Sequence, residues 1–283
     1  MDCRLPRTVR LSSLPEKLNS TNFFFSIFAV LKNGFMTDLK GTHIEKHRIA
    51  SYMVDGKRML TPTLMFNLLQ EVAVNHADEL GVGWDYLHRF NQFWALSRMD
   101  VEILRMPKWQ EEVNIITWPK KNSYLMQPRD YQIKTQDGQF LVRSTSNWVI
   151  LDAEGRPQQL SAYENNLGVV EGLHALETPA SRLRSGMPCE NPEFKQVVYS
   201  NVDMNRHANN SAYVTWVMDS FDNEFHDQHT LAFLSINYLQ QTRADDCYAV
   251  VKQETAPNDF LCSIYSEKDL VEVCRVRTVW KDR

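Results

Sequence analysis

The same order of secondary structure elements is predicted twice along this chain, and that duplication restricts the fold more than any other feature. In the first copy, a helix begins with Thr61 as N-cap and Pro62 in the first turn, and it ends at Gly81. Its apolar residues recur near the period of an α-helix: Leu64, Leu68, Leu69, Val72 and Ala73. Four stretches rich in β-branched and aromatic residues then predict strands, with turns at QDGQ and DAEGRP: FWALSRMDVEIL, EEVNIITW, YLMQPRDYQIK and QFLVRSTSNWVILD.

The second copy has a strand, a polar loop, a helix and four more strands: KQVVYS, then NSAYVTWVMDSF for the helix, then LAFLSINYL, CYAVVKQE, FLCSIYS and VEVCRVRTVW. One long helix beside an antiparallel sheet is stable only if the sheet wraps around it and covers its apolar faces. The sequence therefore predicts an α+β fold of two tandem domains, each an antiparallel β-sheet wrapped around a central helix.

The predicted domains occupy residues 36–165 and 193–283, and a linker at 166–192 joins them. The linker contains Pro, Gly and Ser, and at most one helical turn. Residues 1–35 form an extension in which FFFSIFAVL follows three arginines, a weak match to a signal or transit peptide. The apolar run is short and no A-x-A-like cleavage site follows it. We therefore interpret residues 1–35 as an unstructured extension, with the natural start at Met36.

Composition excludes several classes of protein. A content of 43% hydrophobic and 23% charged residues is ordinary for a soluble globular protein, and no stretch is long enough for a membrane span. A net charge of −4 provides no basic field for nucleic acid. The five cysteines form no C-x-x-C pair, which argues against a zinc site and a disulfide framework. A reducing, cytoplasmic location is expected.

The polar loop before the second helix, NVDMNRHANN, contains the candidate site. If the loop is extended, the alternating side chains of Asp203, Asn205 and His207 point to one side. The first backbone amides of the helix then form an oxyanion hole, and we assign it to Ala208, Asn209 and Asn210. A carboxylate, an amide and an imidazole beside such a hole suit the hydrolysis of an acyl compound.

A purely structural interpretation of the loop is also open. Asp203 and Asn205 are common turn-forming residue types, and Asn209 or Asn210 would cap the helix. His207 would then be a half-buried histidine with its hydrogen bonds satisfied. On residue types alone, this interpretation is the more frequent outcome.

The segment VDMNRHANNSAYVTWVMDS resembles the D-x-N-x-H-x-N-N segment of plant-type acyl-acyl carrier protein thioesterases and their bacterial relatives. LMFNLLQEVAVNHADELG and RSTSNWVILD resemble first-repeat stretches of the same family, and the likeness runs from about Lys46 to the end. The resemblance implies two hot-dog domains that hydrolyse the thioester joining a fatty acid to acyl carrier protein. It also implies catalytic roles for Asp203, Asn205 and His207.

The sequence departs from the family pattern in SINYLQQTRADD. Gln241 stands where the family usually has Glu, and Thr242 stands where many plant members have Cys. A glutamine orients water but cannot accept its proton, so the role of base or nucleophile falls on Asp203. In a shifted register, Asp245 or Asp246 would supply the acid instead.

The resemblance implies a scheme without a metal or a diffusible cofactor, because the substrate itself carries the phosphopantetheine. The first repeat is expected to line an acyl tunnel with the aliphatic and Met side chains of its helix. Glu71, Asn75 and His76 on that helix are read as a polar face or a satisfied core group. Acyl carrier proteins are acidic, so we expect a local basic surface. Its candidates are Lys120, Lys121, Arg129, Arg182 and Arg184.

Several alternatives stay open at this stage. An acyl-coenzyme A thioesterase catalyses the same reaction, but coenzyme A and not acyl carrier protein is the handle, that is, the group that carries the acyl chain. Gln241 favours a second alternative, a non-catalytic acyl-binding protein. A hot-dog enoyl hydratase is disfavoured because its D-x-N-P-x-H pattern is absent. Pairing of edge strands would give a homodimer.

Overall fold

The structure, a computed structural model, describes residues 40–163, 167–184 and 192–283. These residues belong to one compact unit. The predicted extension at 1–35 lies outside the described residues, as does the linker segment 185–191.

The first central helix, α1, spans Pro62–Glu79, where the sequence predicts it. Thr61 is the N-cap, and its side chain accepts a hydrogen bond from the Leu64 amide at 3.4 Å. Gly81 follows the helix with φ of 73°, a left-handed conformation that glycine adopts without strain. Neither α1 nor any other helix in the described ranges is both long and apolar enough to cross a membrane.

Five strands of the first repeat pair in the order β1-β3-β4-β5-β2. They are β1 His43–Arg48, β2 Gln92–Ile103, β3 Glu112–Pro119, β4 Gln127–Thr135 and β5 Phe140–Asp152. The last four confirm predicted strands. β1 and the short helix α2, Trp84–His88, were not predicted.

The second repeat contains α3 Asn210–Met218, α4 Asn223–Gln228, β6 Lys195–Gln196, β7 His229–Tyr238, β8 Cys247–Ala256, β9 Asp259–Ser266 and β10 Glu272–Asp282. The predicted strand KQVVYS is reduced to β6, because the chain then enters a 3-10 turn at Tyr199–Asn201. The predicted second helix, NSAYVTWVMDSF, ends early, at Met218. The short helix α4 that follows was not predicted, and Asp222 caps it by accepting from the Phe225 amide at 2.7 Å.

One ten-stranded sheet joins the two repeats through an antiparallel pairing of β2 with β7. The two central helices pack against each other in opposite directions. Thr63 and Thr215 hydroxyls lie 2.8 Å apart, and Asn210 Nδ2 donates to Gln70 Oε1 at 2.9 Å. Apolar side chains of both helices and of strands from both repeats form one large core, and two smaller apolar clusters lie outside it. The predicted α+β tandem architecture is confirmed.

The described part of the linker, residues 167–184, packs on the face of the sheet opposite the helices. Asp130 Oδ2 accepts from the Ala175 amide at 2.8 Å. Asp100 Oδ2 accepts from the amide and hydroxyl of Ser181 at 3.0 and 2.7 Å, and Asn237 Nδ2 donates to the Ser181 carbonyl at 2.9 Å. This part of the linker contains no helical turn and covers polar groups on both repeats.

Candidate functional site

The loop that precedes α3 is a tight turn. Val202 and Ala208 form an isolated bridge, the Asp203 amide donates to the His207 carbonyl at 2.8 Å, and Arg206 has φ of 61°. The loop is therefore not extended, and the condition under which all three alternating side chains point to one side is not met. The physical reason is that short polar side chains form local hydrogen bonds, which favour turns over extended backbone.

The carboxylate of Asp203 helps to close this turn. Its Oδ1 accepts from the amides of Asn205 at 2.8 Å and of His207 at 3.1 Å. Asp203 and His207 thus lie opposite each other at the base of the turn, and Asn205 is exposed at its tip. Within the described residues, Asp203 Oδ2 and the His207 ring have no protein hydrogen-bond partner. These two groups remain available to water or substrate.

The backbone amides at the start of α3 only partly match the predicted oxyanion hole. The Ala208 amide donates to the Thr242 carbonyl at 2.7 Å, and the Asn209 amide donates to the Asn201 carbonyl at 2.8 Å. The structure does not support the prediction for these two amides, because both already have acceptors. The Asn210 amide has no acceptor among the described residues, as is usual in the first turn of a helix.

Asn209 caps α3, which agrees with the structural interpretation of this residue. Its Oδ1 accepts from the Ser211 amide at 3.0 Å. Through its side chain, Asn210 contacts Gln70 near the middle of α1. The amino terminus of α3 is therefore held against the first repeat.

The segment that carries Gln241 lies beside the turn. This placement agrees with the alignment in which Gln241 occupies the position of the family's Glu. His207 forms an isolated bridge with Arg243. Gln241 is exposed, whereas its neighbour Thr242 is buried. Asp246, one of the alternative acids, accepts from the Arg243 amide at 2.7 Å and so belongs to its own turn.

Two tyrosines that sequence reasoning missed, the buried Tyr213 and the partly buried Tyr238, support this arrangement. The Tyr213 hydroxyl accepts from the Thr242 amide at 3.1 Å, and the Tyr238 hydroxyl donates to the Asn210 carbonyl at 2.9 Å. Burial raises the pKa of Tyr213 to about 12 and that of Tyr238 well above its ordinary value. Both hydroxyls therefore stay protonated, and together they fix the two segments of the site.

An apolar pocket lies beside the second half of α1 and encloses about 40 Å³. Most of its lining is aliphatic or aromatic: Ala73, Val74, Ala77, Leu80, Val82, Trp94, Pro119, Trp148 and Leu167, with Gln127 and Arg129 as the polar members. Because α3 runs antiparallel to α1 and begins opposite Gln70, the pocket lies beyond the amino terminus of α3. The methionine of α1, Met65, packs in the core and does not line it.

Arg129 in this pocket is only 6% exposed. The prediction that it forms part of a basic surface for a partner is wrong, because its guanidinium points into the protein. Its Nη1 donates to His76 Nδ1 at 3.0 Å and to Thr117 Oγ1 at 3.2 Å. Burial, and then the charge of Arg129, lower the pKa of His76 to about 3. His76 is thus a neutral, satisfied core histidine.

The other polar candidates from the sequence are either paired with neighbouring side chains or exposed to solvent. Asn75 donates to Glu45 Oε1 at 2.8 Å, and Glu71 is exposed. Lys120 forms an ion pair with the buried Asp130 at 3.3 Å. Three basic candidates remain exposed: Lys121, Arg182 and Arg184. No group of three His, Cys, Asp or Glu residues suited to a metal ion occurs in the described ranges.

Comparison of the chain with known protein families finds two successive matches. The Acyl-ACP thioesterase N-terminal domain matches residues 40–162, and the Acyl-ACP thioesterase C-terminal domain matches residues 190–282. The chain is 27% identical over 246 residues to oleoyl-acyl carrier protein thioesterase 2, chloroplastic, of Arabidopsis thaliana, covering 78% of this chain and 65% of the relative. Its identity to the oleoyl-acyl carrier protein thioesterase of Coriandrum sativum is 29%, covering 88% and 68%.

Two solved structures have the same fold. An acyl-ACP thioesterase from Bacteroides thetaiotaomicron aligns with a TM-score of 0.78 at 22% identity, covering 87% of this chain and 100% of that one. The 12:0-ACP thioesterase from Umbellularia californica aligns with a TM-score of 0.77 at 19% identity, with the same coverage. The chain spans about 65% of the length of the first curated relatives. With both family domains matched in order over most of its length, the chain belongs to the acyl-ACP thioesterase family.

Proposed function

We propose that the protein hydrolyses the thioester of fatty acyl-acyl carrier protein, releases the free fatty acid and so ends chain elongation. One observation carries this proposal. The Asn210 amide lies beside the turn of Asp203 and His207, and an apolar pocket lies beyond that helix terminus. The relatives' names describe this activity for those proteins.

The substrate carbonyl is placed at the amino terminus of α3. There the amide of Asn210, which has no acceptor among the described residues, donates to the carbonyl oxygen, and the positive end of the helix dipole stabilises the oxyanion. One such donor typically contributes about 10²–10³-fold in turnover. The alkyl chain then continues along α1 into the pocket of the first repeat.

Hydrolysis proceeds by attack of water on the carbonyl carbon. Asp203 Oδ2 takes the proton from this water, while Asn205 and Gln241 orient it. The C–S bond breaks as the tetrahedral intermediate collapses, and His207 donates a proton to the sulfur. Direct attack by Asp203 is the alternative, and it passes through an anhydride that water then hydrolyses. Neither route uses a metal or a diffusible cofactor.

The surface around the turn supports acyl carrier protein as the handle. Tyr199 is 97% exposed and Met204 is 79% exposed. Arg206 and Arg243 are exposed beside them. Apolar and positive groups at the site entrance complement an acidic carrier. Arg243→Glu should raise KM for acyl-acyl carrier protein but not for acyl-coenzyme A of equal chain length. Equal effects on both handles would favour the coenzyme A alternative.

The test of the activity is release of free thiol from acyl-acyl carrier proteins, with chains from octanoyl to octadecanoyl. Asp203→Asn keeps an oxygen that closes the turn but removes the base, so turnover should fall about 10²-fold or more. Asp246→Asn, which alters an acid in the adjacent turn, is the matched control and should keep turnover.

Two outcomes would contradict parts of the proposal. Near-wild-type turnover by Asp203→Asn would show that Asp203 only closes the turn. Acyl binding without turnover of any chain by wild type would favour the non-catalytic binding protein, with Gln241 as the reason.

A reducing, cytoplasmic location belongs to the same proposal. Cys247, Cys262 and Cys274 are free thiols, which suits a reducing compartment. Cell fractionation tests the location. The homodimer stays a prediction, which sedimentation of the purified chain tests.

A further inference from the structure

Gln127, which lines the pocket of the first repeat, has a buried amide oxygen without a partner among the described residues. Gln127 is only 3% exposed and lines this pocket. Its Nε2 donates to the carbonyls of Lys120 and Pro128 at 2.8 and 2.9 Å. Because both partners are acceptors, the nitrogen must occupy this position, and the amide orientation is fixed. Oε1 is buried and has no hydrogen-bond partner among the described residues.

The second polar group of the pocket is a buried cation without a carboxylate. Arg129 follows Gln127 at the alternate position of β4, so both side chains are on the strand face that packs toward α1. Within the described ranges, the guanidinium has two partners, the neutral His76 and Thr117, and no ion pair. A guanidinium has five N–H donors, so it retains capacity for an acceptor in the pocket.

We propose that this pocket binds an acyl chain that carries a hydroxyl group. The hydroxyl donates to Gln127 Oε1 and accepts from Arg129, and a methylene at the same place satisfies neither group. The remaining lining is apolar and suits the alkyl parts of the chain. This inference rests on the proposed function and specifies its substrate class.

The geometry of α1 places the hydroxyl away from the thioester. Gln70 contacts Asn210 at the proposed carbonyl site. The pocket residues Ala73 to Leu80 follow it by about 5–15 Å along the helix axis, at 1.5 Å per residue. The hydroxyl therefore belongs to the middle or distal part of the chain and not to the carbons next to the carbonyl.

The experiment uses the full chain and a set of acyl-acyl carrier proteins of one length. The set contains the unsubstituted chain, chains with one hydroxyl moved from carbon to carbon, and the oxo analogue of each. When the hydroxyl is on one particular interior carbon, kcat/KM for that substrate should exceed kcat/KM for the unsubstituted chain by about tenfold or more. The oxo analogue should fall below the hydroxyl chain, because it has no proton for Gln127 Oε1.

Variants of two buried glutamines on β4 test whether Gln127 causes the preference for the hydroxylated chain. Gln127→Met should bring the hydroxyl-to-unsubstituted ratio of kcat/KM close to one. Gln132→Met is the matched control, since Gln132 is buried on the opposite face of the same strand. It should leave the ratio unchanged. Thermal unfolding shows whether each variant is folded, and the wild-type ratio tests the inference without any variant.

Binding of free acids separates this inference from the proposed function. A hydroxy fatty acid should raise the unfolding temperature of the protein more than the unsubstituted acid of equal length. Hydrolysis of the unsubstituted chain without preference at any hydroxyl position would overturn the inference and keep the function. Stronger binding of the hydroxy acid without hydrolysis of any substrate would overturn the function and keep the inference.

Discussion

The turns that precede the two central helices share one backbone design. In the first repeat, the Asp55 amide donates to the Met59 carbonyl at 2.9 Å, and Asp55 Oδ1 accepts from the amides of Lys57 and Met59, both at 2.9 Å. Arg58 has φ of 61°. The turn of Asp203 repeats each of these features, including the φ of its arginine.

The neighbouring segments correspond as well. The Leu60 amide donates to the Pro107 carbonyl at 2.8 Å, as Ala208 does to Thr242. The bridge between Met59 and Lys108 corresponds to the bridge between His207 and Arg243. The turn is therefore part of the repeated architecture, and an aspartate closes it whether or not chemistry takes place there.

What differs is a small set of side chains on this common backbone. Lys57 corresponds to Asn205, Met59 to His207, and Pro62 to Asn210. A proline has no N–H, so the first helix lacks the donor that Asn210 provides at the start of α3. The comparison teaches that Oδ1 of Asp203 has a structural role. The proposed chemistry depends on Oδ2 and on the three residues that the first repeat does not share.

The largest effect is expected when His207 is replaced by its first-repeat equivalent. His207→Met removes the proton donor and should lower kcat/KM by about 10²–10⁴-fold, because a positioned acid or base contributes that much. The turn should survive, since the hydrogen bonds of His207 within it are made by its backbone. Thiol release measures the change, and Met59→His should leave turnover unaltered. Retention of more than a tenth of the activity would remove His207 from the proposed scheme.

The next effect tests the helix amide directly. Asn210→Pro places at the start of α3 the residue that α1 has at the corresponding position, Pro62. It should lower kcat by about 10²–10³-fold, because one oxyanion donor is lost. The helix tolerates it, because Asn209 has φ of −58° and ψ of 144°, an extended conformation compatible with a following proline.

Asn210→Ala is the control for that variant, because it loses the contact with Gln70 but keeps the amide. It should retain most of the turnover that the proline variant loses. If the two variants are equally impaired, the contact with α1 matters and the amide does not.

Sequence reasoning recovered the repeated elements because their patterns are long. α1 buries a periodic set of apolar residues, and such periodicity is visible in the chain alone. β5 is a long stretch that contains several β-branched and aromatic residues, a composition typical of strands. α4 was missed because its six residues are too few for a pattern.

The errors at the site have a different cause, which is hydrogen bonding that the sequence pattern does not display. Alternating side chains point to one side only if the loop is extended, and the carboxylate of Asp203 instead closes a turn with nearby amides. Arg129 looked like a surface cation because His76 and Thr117, its partners, are distant in sequence. The Ala208 amide was expected to be an oxyanion donor. It already donates to the carbonyl of Thr242, which lies on a separate segment of the chain.

The buried histidine of the first repeat, His76, should make the stability of the protein depend on pH. The pKa of His76 is about 3 in the folded protein, below its ordinary value of 6.5. Between these values the unfolded chain binds more protons, so stability falls as the pH decreases below 6.5. The expected loss is about 2 kcal/mol between about pH 7 and pH 5.

Urea unfolding across this pH range measures that loss. His76→Gln, which does not titrate there, should show a smaller loss than wild type. A wild-type loss that is unchanged in His76→Gln would assign the acid sensitivity to other groups.

The smallest effect compares the two aspartates as turn formers. Asp55→Ala and Asp203→Ala each remove an acceptor of two backbone amides, so each should lower the free energy of unfolding by about 1 kcal/mol. Asp55→Ala should keep turnover, whereas Asp203→Ala should lose it together with the base. Urea unfolding and thiol release on the same preparations measure both properties. If Asp203→Ala reduced turnover no more than Asp55→Ala did, the two turns would be equivalent in function as well as in backbone, and the proposed base would have to be sought outside the turn.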